Sequence, residues 1–411
     1  MLTPEQLLEL VDTMQPVIDE LNAWITKDMI RRLMARMDRK EKPELTRSDV
    51  WQAKVYKEAG GHVEELQKQI AKFLKLSEAE VKAIFLDAGI RAYEADRAVY
   101  TTAGLETVPL RQSKRMQRIL EDTYQRTNGE IRNFTRTTAN QSQAKLIEVL
   151  DKTHMKVVTG ASSYTQAVKE AVDEIAASGQ AQVTYTDANG HVTKIDTLET
   201  AVLRAVRTGT AQASGNMAIE GMKEHDWDII LVSAHLGARY GDGGPNPGNH
   251  FWWQGKFYSL NGKTEGLPPF KETTGYGTGP GLSGWNCRHS FGPGDGINNP
   301  YKDYDSEENK KAYDLSQMQR KMESSIRRTK MKVLAYREAL DNCTDAEAKD
   351  ALQRAYDRQA LRLQRQNKAY NDFTTANNLK KLSDRLRVTQ WTRSEAARAT
   401  AAAKRAAASI K

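Results

Sequence analysis

An α+β fold that is mostly helix is predicted by three observations. Apolar residues recur at helical spacing through residues 1–159 and again through 306–411. One alternating stretch with a tight turn falls between them, at Val183–Ile195. Finally, Asp226–Pro293 breaks the helical period with clustered glycine, proline, histidine and tryptophan. The expected organisation is long helical N- and C-terminal arms (1–159 and 306–411) flanking a small turn-rich α+β central domain (160–305).

At 411 residues, with 39% hydrophobic and 28% charged residues, the chain can bury sizeable cores and keep a large solvated surface. No stretch approaches the roughly 20 consecutive apolar residues of a membrane-spanning helix, so no membrane span is expected. The start, MLTPEQLLELVD, lacks the basic region of a signal peptide. Two cysteines, Cys287 and Cys343, make no disulfide framework. The net charge of +8 is uneven: residues 306–411 hold 24 Lys and Arg against 13 Asp and Glu, or +11, leaving −3 for the first 305. A basic arm points to non-specific contact with a polyanion such as double-stranded DNA.

In chain order, Thr3, Pro4 and Gln6 form a capping box that opens a helix, with Leu7, Leu8, Val11, Met14, Val17, Ile18 and Leu21 at its spacing. Pro16 bends or breaks that helix unless a new one starts there. The pattern continues from Trp24 to Met37 and stops at Glu41-Lys42-Pro43. Separate helices are expected over Ser48–Glu58, His62–Leu74 and Ser77–Ala88, the last ended by Gly89. A long one follows Pro109 toward Met155, weakened at Gly129 and Thr135–Thr138. Gly160 closes that stretch. Ser163 and Gln166 cap the next helix, and Gly179 stands where a C′ residue belongs. Val183 and Tyr185, the turn Asp187-Ala188-Asn189-Gly190, then Val192 and Ile195 predict a β-hairpin. A helix from Thr197 to about Met222 leads to strands at Asp226–Val232 and Gly255–Leu260.

From Ser306 the helical period returns in a stripe from Tyr313 to Leu340. A third capping box, with Thr344 as N-cap, starts a helix whose Leu352, Tyr356, Leu363, Tyr370 and Phe373 pack on another helix. The alanine-rich end, Trp391–Lys411, is expected to be helical when bound and frayed when free. It offers Arg393, Arg398, Lys404, Arg405 and Lys411 to nucleic acid.

The central stretch crowds reactive side chains. His235, Arg239, His250, Cys287 and His289 are the types a nuclease-like or metal-dependent hydrolase would use as acid, base and phosphate ligand. Cys287 and His289, with His235 or His250, could supply mixed zinc ligands. Against this, Cys-x-His is a tighter spacing than usual and no second Cys pair exists. Ser283 lies in Gly-Leu-Ser-Gly, not a nucleophile elbow. The glycines fit neither phosphate-binding template, and Asp295–Asp305 lacks calcium-loop spacing. The structural reading explains more: Trp252, Trp253, Trp285, Phe251, Phe257 and Phe291 fill a loop-rich core, glycine and proline fix its turns, and histidine and arginine satisfy loop carbonyls. No catalytic residue, cofactor or metal is assigned on this reading.

The run Ser233-Ala234-His235-x-x-Ala238-Arg239, then His250-x-x-Trp253-Gln254-Gly255-Lys256-x-x-Ser259-Leu260, then Thr274-Gly275-Tyr276-Gly277 and Gly284-Trp285-Asn286-Cys287-Arg288-His289, resembles the phage minor capsid protein 2 family. More distantly it is similar to the Mu F-like head morphogenesis proteins. The later run Tyr313-x-Leu315-x-Gln317-x-Gln319-Arg320 with Ile326-Arg327 also resembles the capsid family. One departure is the loop 241–249, longer than that family leads us to expect. The resemblance implies a minor head protein of a tailed bacteriophage, made in the host cytoplasm and carried in the virion. It further implies a place in the capsid interior near the portal, portal or coat proteins as partners, and a role in head assembly or DNA delivery. It brings no catalytic residues. Trp253, Gly255, Gly284, Trp285, Asn286, Cys287, Arg288 and His289 are then a structural signature. An assembly factor that leaves the mature head is a further possibility.

Overall fold

The computed structural model describes every residue except 42, 44, 45, 179, 180, 410 and 411. Lys42 of the expected stop Glu41-Lys42-Pro43, the C′ role of Gly179 and the contact at Lys411 lie outside the described residues. The N-terminal elements are α1 (Pro4–Asp12), α2 (Gln15–Arg36), α3 (Ser48–Thr102), α4 (Lys114–Val158) and α5 (Tyr164–Ser178). There follow β1 (Gln182–Thr186), β2 (Val192–Thr197), α6 (Leu198–Glu224), β3 (Ile229–Val232), α7 (His250–Trp253), β4 (Phe257–Ser259), α8 (Phe270–Thr274) and β5 (Phe291–Pro293). The chain closes with α9 (Ser306–Asn342), α10 (Ala346–Ala376) and α11 (Arg393–Ala408). The class is the one expected: mostly α, with small sheets.

Contacts group the residues into two units, each gathered from three stretches. The first holds Met1–Met14, Ser77–Arg132 and Val202–Met318; the second holds Gln15–Leu76, Asn133–Ala201 and Gln319–Lys411.

In the first unit, the capping box of α1 forms as expected. Gln6 N–H donates to Thr3 Oγ1 at 3.2 Å and Thr3 N–H to Gln6 Oε1 at 2.8 Å. The sheet has the order β4-β3-β5, antiparallel throughout, with Ile230 opposite both Tyr258 and Pro293. β5 was not anticipated, because Phe-Gly-Pro reads as a turn. Proline is tolerated there because β5 is an edge strand. Ile230 and Val232 point into a core with Met222, Trp253, Tyr258, Phe270, Leu282, Cys287 and Phe291. Aromatic side chains supply most of that volume, which is how a region with few regular hydrogen bonds still buries a core.

In the second unit, α2 begins with Gln15-Pro16, so the proline sits in a first turn, where its missing N–H costs nothing. This helix is buried on several sides, including Asp19, Asn22, Thr26 and Asp28. Asn22 Oδ1 accepts the Ala181 N–H at 2.8 Å and so anchors the chain just before β1. β1 and β2 pair antiparallel with a left-handed Gly190 in the turn, as expected of Asp-Ala-Asn-Gly.

Three expectations are corrected. Residues 48–102 form one helix of 55 residues, not three. Gly89, which suggested a break, and Gly61, between the first two expected helices, are sites of close approach instead. A Cβ on Gly61 would lie 2.9 Å from Arg32 Nη1, and one on Gly89 would lie 2.8 Å from Leu120 Cδ2. Each places a bulky neighbour against the helix backbone, and the packing outweighs the helix cost of glycine, roughly 1 kcal/mol. The N-cap of α10 is Asp345, whose carboxylate accepts from Ala348 N–H at 2.8 Å, rather than Thr344. Thr344 instead donates to Asp38. The alanine-rich end is also no frayed tail: Ala399, Ala402, Ala403 and Ala406 are buried and α11 packs along α10.

Candidate functional site

β3 runs into Ser233-Ala234-His235 and then a turn at Gly237, whose φ is +77°. The turn is held from α9: the N–H groups of Gly237 and Ala238 donate to Asn309 Oδ1 at 2.9 and 2.8 Å, and Asn309 Nδ2 donates to Ala238 O at 3.0 Å. Arg288 Nη2 donates to Gly237 O at 3.1 Å. Arg239 reaches the other way, donating to Pro280 O at 3.3 Å and Trp285 O at 2.6 Å. Both arginines therefore clasp loop carbonyls.

His250 begins α7, one residue after the N-cap Asn249. His289 immediately precedes Ser290 and β5. Both rings meet Trp253, which is fully buried. His235 stacks on His289 with centroids 4.5 Å apart, and Trp253 meets His289 edge-on at 4.8 Å. One ligand-capable atom from each of His250, Cys287 and His289 lies within 4.8 Å of the other two, and all three residues are buried. Cys287 Sγ is 3.7 Å from His289 Nδ1. Sequence reasoning named these three and His235 as possible partners; the structure brings the three ligand atoms together and leaves His235 stacked alongside.

Hydrogen bonds fix the tautomers. Gln254 Oε1 accepts the backbone N–H of His235 at 3.1 Å, which identifies that atom as the oxygen. The same oxygen lies 2.9 Å from His289 Nε2, so Nε2 carries the proton and Nδ1 presents a lone pair. His250 Nε2 lies 2.8 Å from the Pro280 carbonyl, which can only accept, so its Nδ1 is likewise unprotonated. Burial, then the Arg239 guanidinium, lowers His250 to about 4. Burial also pushes His289 far below its ordinary range, helped by His235, His250 and the two arginines. The Cys287 thiol is pushed up by burial, with Arg239 and Arg288 pulling the other way. Both imidazoles are neutral at pH 7.

The signature residues divide by role. Gly284 is obligatory: a Cβ there would fall 2.3 Å from Gly279 O. Asn286 and Ser283 adopt left-handed backbone, each with φ +57°. Gly255 is also left-handed and sits against Ala234. Trp285 lies across Gly279 and is 62% exposed, the least buried aromatic of the signature. Gln254 and Asn309 organise the site, yet neither carried a chemical signal in the sequence. Of the expected nucleic-acid set, Arg398 pairs with Glu395 at 2.8 Å and Arg405 makes a two-pronged pair with Asp357 at 3.1 and 2.8 Å; Arg393 and Lys404 are exposed. Among the described residues, no helix is long and apolar enough to cross a membrane.

Comparison with known proteins places this turn-rich module and its helices among phage structural proteins. Residues 2–374 match the family described as Phage minor capsid protein 2, nearly the whole chain. The chain belongs to that phage minor capsid protein family. It is also similar to a "Structural protein" of Lactococcus phage LL-H, 26% identical over 193 residues. That match covers 45% of this chain, and the chain spans about half the length of that relative, 48%. No solved structure matches it.

Proposed function

We propose that this protein is a non-enzymatic minor component of a tailed-phage head, seated in the capsid interior near the portal, where it aids head assembly or genome delivery and touches DNA non-specifically. Family membership supports the virion part. The observation that carries the DNA part is a row on α10. Arg358, Arg362 and Arg365 are exposed and line one shallow groove with Leu361, Gln366 and Ala369. No carboxylate lies in the sequence between Asp357 and Asp372. Among the described residues none of the three arginines has a salt-bridge partner. Spaced four and seven residues from the first, they spread over about 10 Å of helix, a length that meets several phosphates. The contact thus shifts from the expected C-terminal residues, where Arg398 and Arg405 are already engaged, to α10, with Arg393 and Lys404 as adjuncts.

Docking to portal or coat has its own support. Leu86 and Ile90, one turn apart on α3, are 53% and 44% exposed, an apolar pair suited to another protein's surface. A hydrolase at the histidine cluster has less support, because a substrate would have to reach His289, which is 1% exposed. Mass spectrometry of intact and DNA-emptied particles tests the placement: the protein is expected in intact heads, and its absence overturns the reading. Its loss on emptying assigns delivery, and its retention assigns assembly. Duplex-DNA binding by the triple variant R358E/R362E/R365E tests the contact; unchanged binding removes α10 from it.

A further inference from the structure

We propose that His250, Cys287 and His289 form a binding site for a zinc-class divalent cation, held by two imidazole nitrogens and a thiolate, that staples the turn-rich module.

The first support is distance. Ligands of a tetrahedral zinc ion with bonds of about 2.3 Å to sulfur and 2.0–2.1 Å to nitrogen stand roughly 3.3–3.6 Å from one another. Cys287 Sγ and His289 Nδ1 are 3.7 Å apart, a thiol hydrogen-bond contact that is also close to the separation of two atoms sharing an ion. The His250 atom completes a triangle with no side above 4.8 Å, so a small inward shift closes the set.

The second support is orientation. A metal-bound histidine ordinarily donates its other ring N–H to a carbonyl or carboxylate, which fixes the tautomer and aims the lone pair. Both histidines do this here: His289 Nε2–H donates to Gln254 Oε1 and His250 Nε2–H to Pro280 O. Gln254 is in turn fixed by the His235 N–H. Each imidazole thus has its one lone pair on Nδ1.

Charge bears on the choice of ion. Arg239 and Arg288 lie near enough to act on all three residues, and they disfavour a bare dication. A thiolate offsets half of the ion's charge, and the same guanidiniums favour that thiolate. A soft ligand, two imidazoles and no carboxylate select zinc over magnesium or calcium. Three protein donors leave a fourth position for an enclosed water molecule. The ion would join α7 to the Cys287–His289 loop, 37 residues further on, in a region whose only regular sheet is three short strands. Ion binding there adds to folding stability.

The test uses the full-length chain, stripped with chelator and titrated with Co2+ and then Zn2+. Expected are one ion per chain, a thiolate-to-cobalt charge-transfer band, tetrahedral cobalt absorption, and a higher melting temperature with Zn2+. Cys287→Ser should lose the band and weaken Zn2+ binding at least ~100-fold, whereas Cys343→Ser, which removes the other thiol, should leave both intact. Gln254→Ala, which touches no ion, should weaken binding by about 10-fold. Absence of the band in the wild-type chain overturns the proposal, as does a band that survives Cys287→Ser or vanishes with Cys343→Ser. Should Cys287→Ser fail to fold, the wild-type cobalt spectrum and Cys343→Ser still decide.

Discussion

Asn309 and Ala238 exchange hydrogen bonds as two strand residues would: Asn309 Oδ1 accepts the Ala238 N–H at 2.8 Å, and its Nδ2 donates to the Ala238 carbonyl at 3.0 Å. One side chain from the first turn of α9 thereby completes the backbone of the loop that carries His235 and Arg239. The residue is fully buried, so water cannot replace it.

Asn309→Ala is expected to destabilise the first unit by about 3 kcal/mol, because it strands two backbone donors and one acceptor away from solvent. Asn309→Asp keeps the acceptor and loses the donor, but buries a charge, and should also destabilise. Urea unfolding followed by tryptophan fluorescence measures both. A loss under ~0.5 kcal/mol for the alanine variant refutes the role given to Asn309.

Glycines in this chain predict opposite outcomes for one substitution. A Cβ on Gly281 would lie 2.2 Å from Gly275 O, and one on Gly284 2.3 Å from Gly279 O; both obstacles are backbone. Gly281→Ala and Gly284→Ala should therefore unfold the module or leave it insoluble, a loss of about 3 kcal/mol or more. Gly129, inside α4, has nothing within 4 Å of its Cβ position, and Gly129→Ala should stabilise by roughly 0.5–1 kcal/mol. Thermal melts of the three variants read this directly.

Asp19 supplies a pH dependence. It is buried in α2; burial and then the Glu199 carboxylate raise its pKa to about 7, against a bond from Gln15 and the charges of Arg327 and Lys330. Between the ordinary carboxylate pKa of 3.8 and about 7 the folded state holds a proton that the unfolded state has released, so stability falls as pH rises through that window. Asp19→Asn removes the effect. It should match the wild type near pH 3 and exceed it by up to ~4 kcal/mol above pH 7. Equal melting temperatures at pH 8 would contradict a raised pKa at Asp19.

Salt dependence tests the α10 row quantitatively. Each phosphate contact adds about 0.9 to the slope of log K against log salt, so R358E/R362E/R365E should lower that slope by up to ~3. Fluorescence anisotropy of labelled duplex DNA over a salt series gives the number. A parallel shift with unchanged slope would place the arginines outside the contact.

Local rules made much of this fold legible. The Thr3–Gln6 box, the Asp187–Gly190 turn and the restart at Pro16 are short-range features, and each forms as its residues dictate. The continuity of α3 was hidden because Gly89 reads as a breaker until Leu120 is seen to press on it. The N-cap of α10 moved by one residue because Asp345 out-competes Thr344 as an acceptor. At the site, the side chains were named from type alone. The closeness of His250 to Cys287 depends on the path of the loop between them, which periodicity cannot give. Gln254 and Asn309 are ordinary amides until their partners are known.

Trp285, lying over Gly279 with most of its indole in solvent, also gives the module an optical handle. Its emission should be red-shifted and open to iodide, unlike that of the enclosed Trp253. Any neighbour in the assembled head that covers this face would turn the signal blue and silence the quencher. Assembly could thus be followed in real time through a side chain the protein already carries.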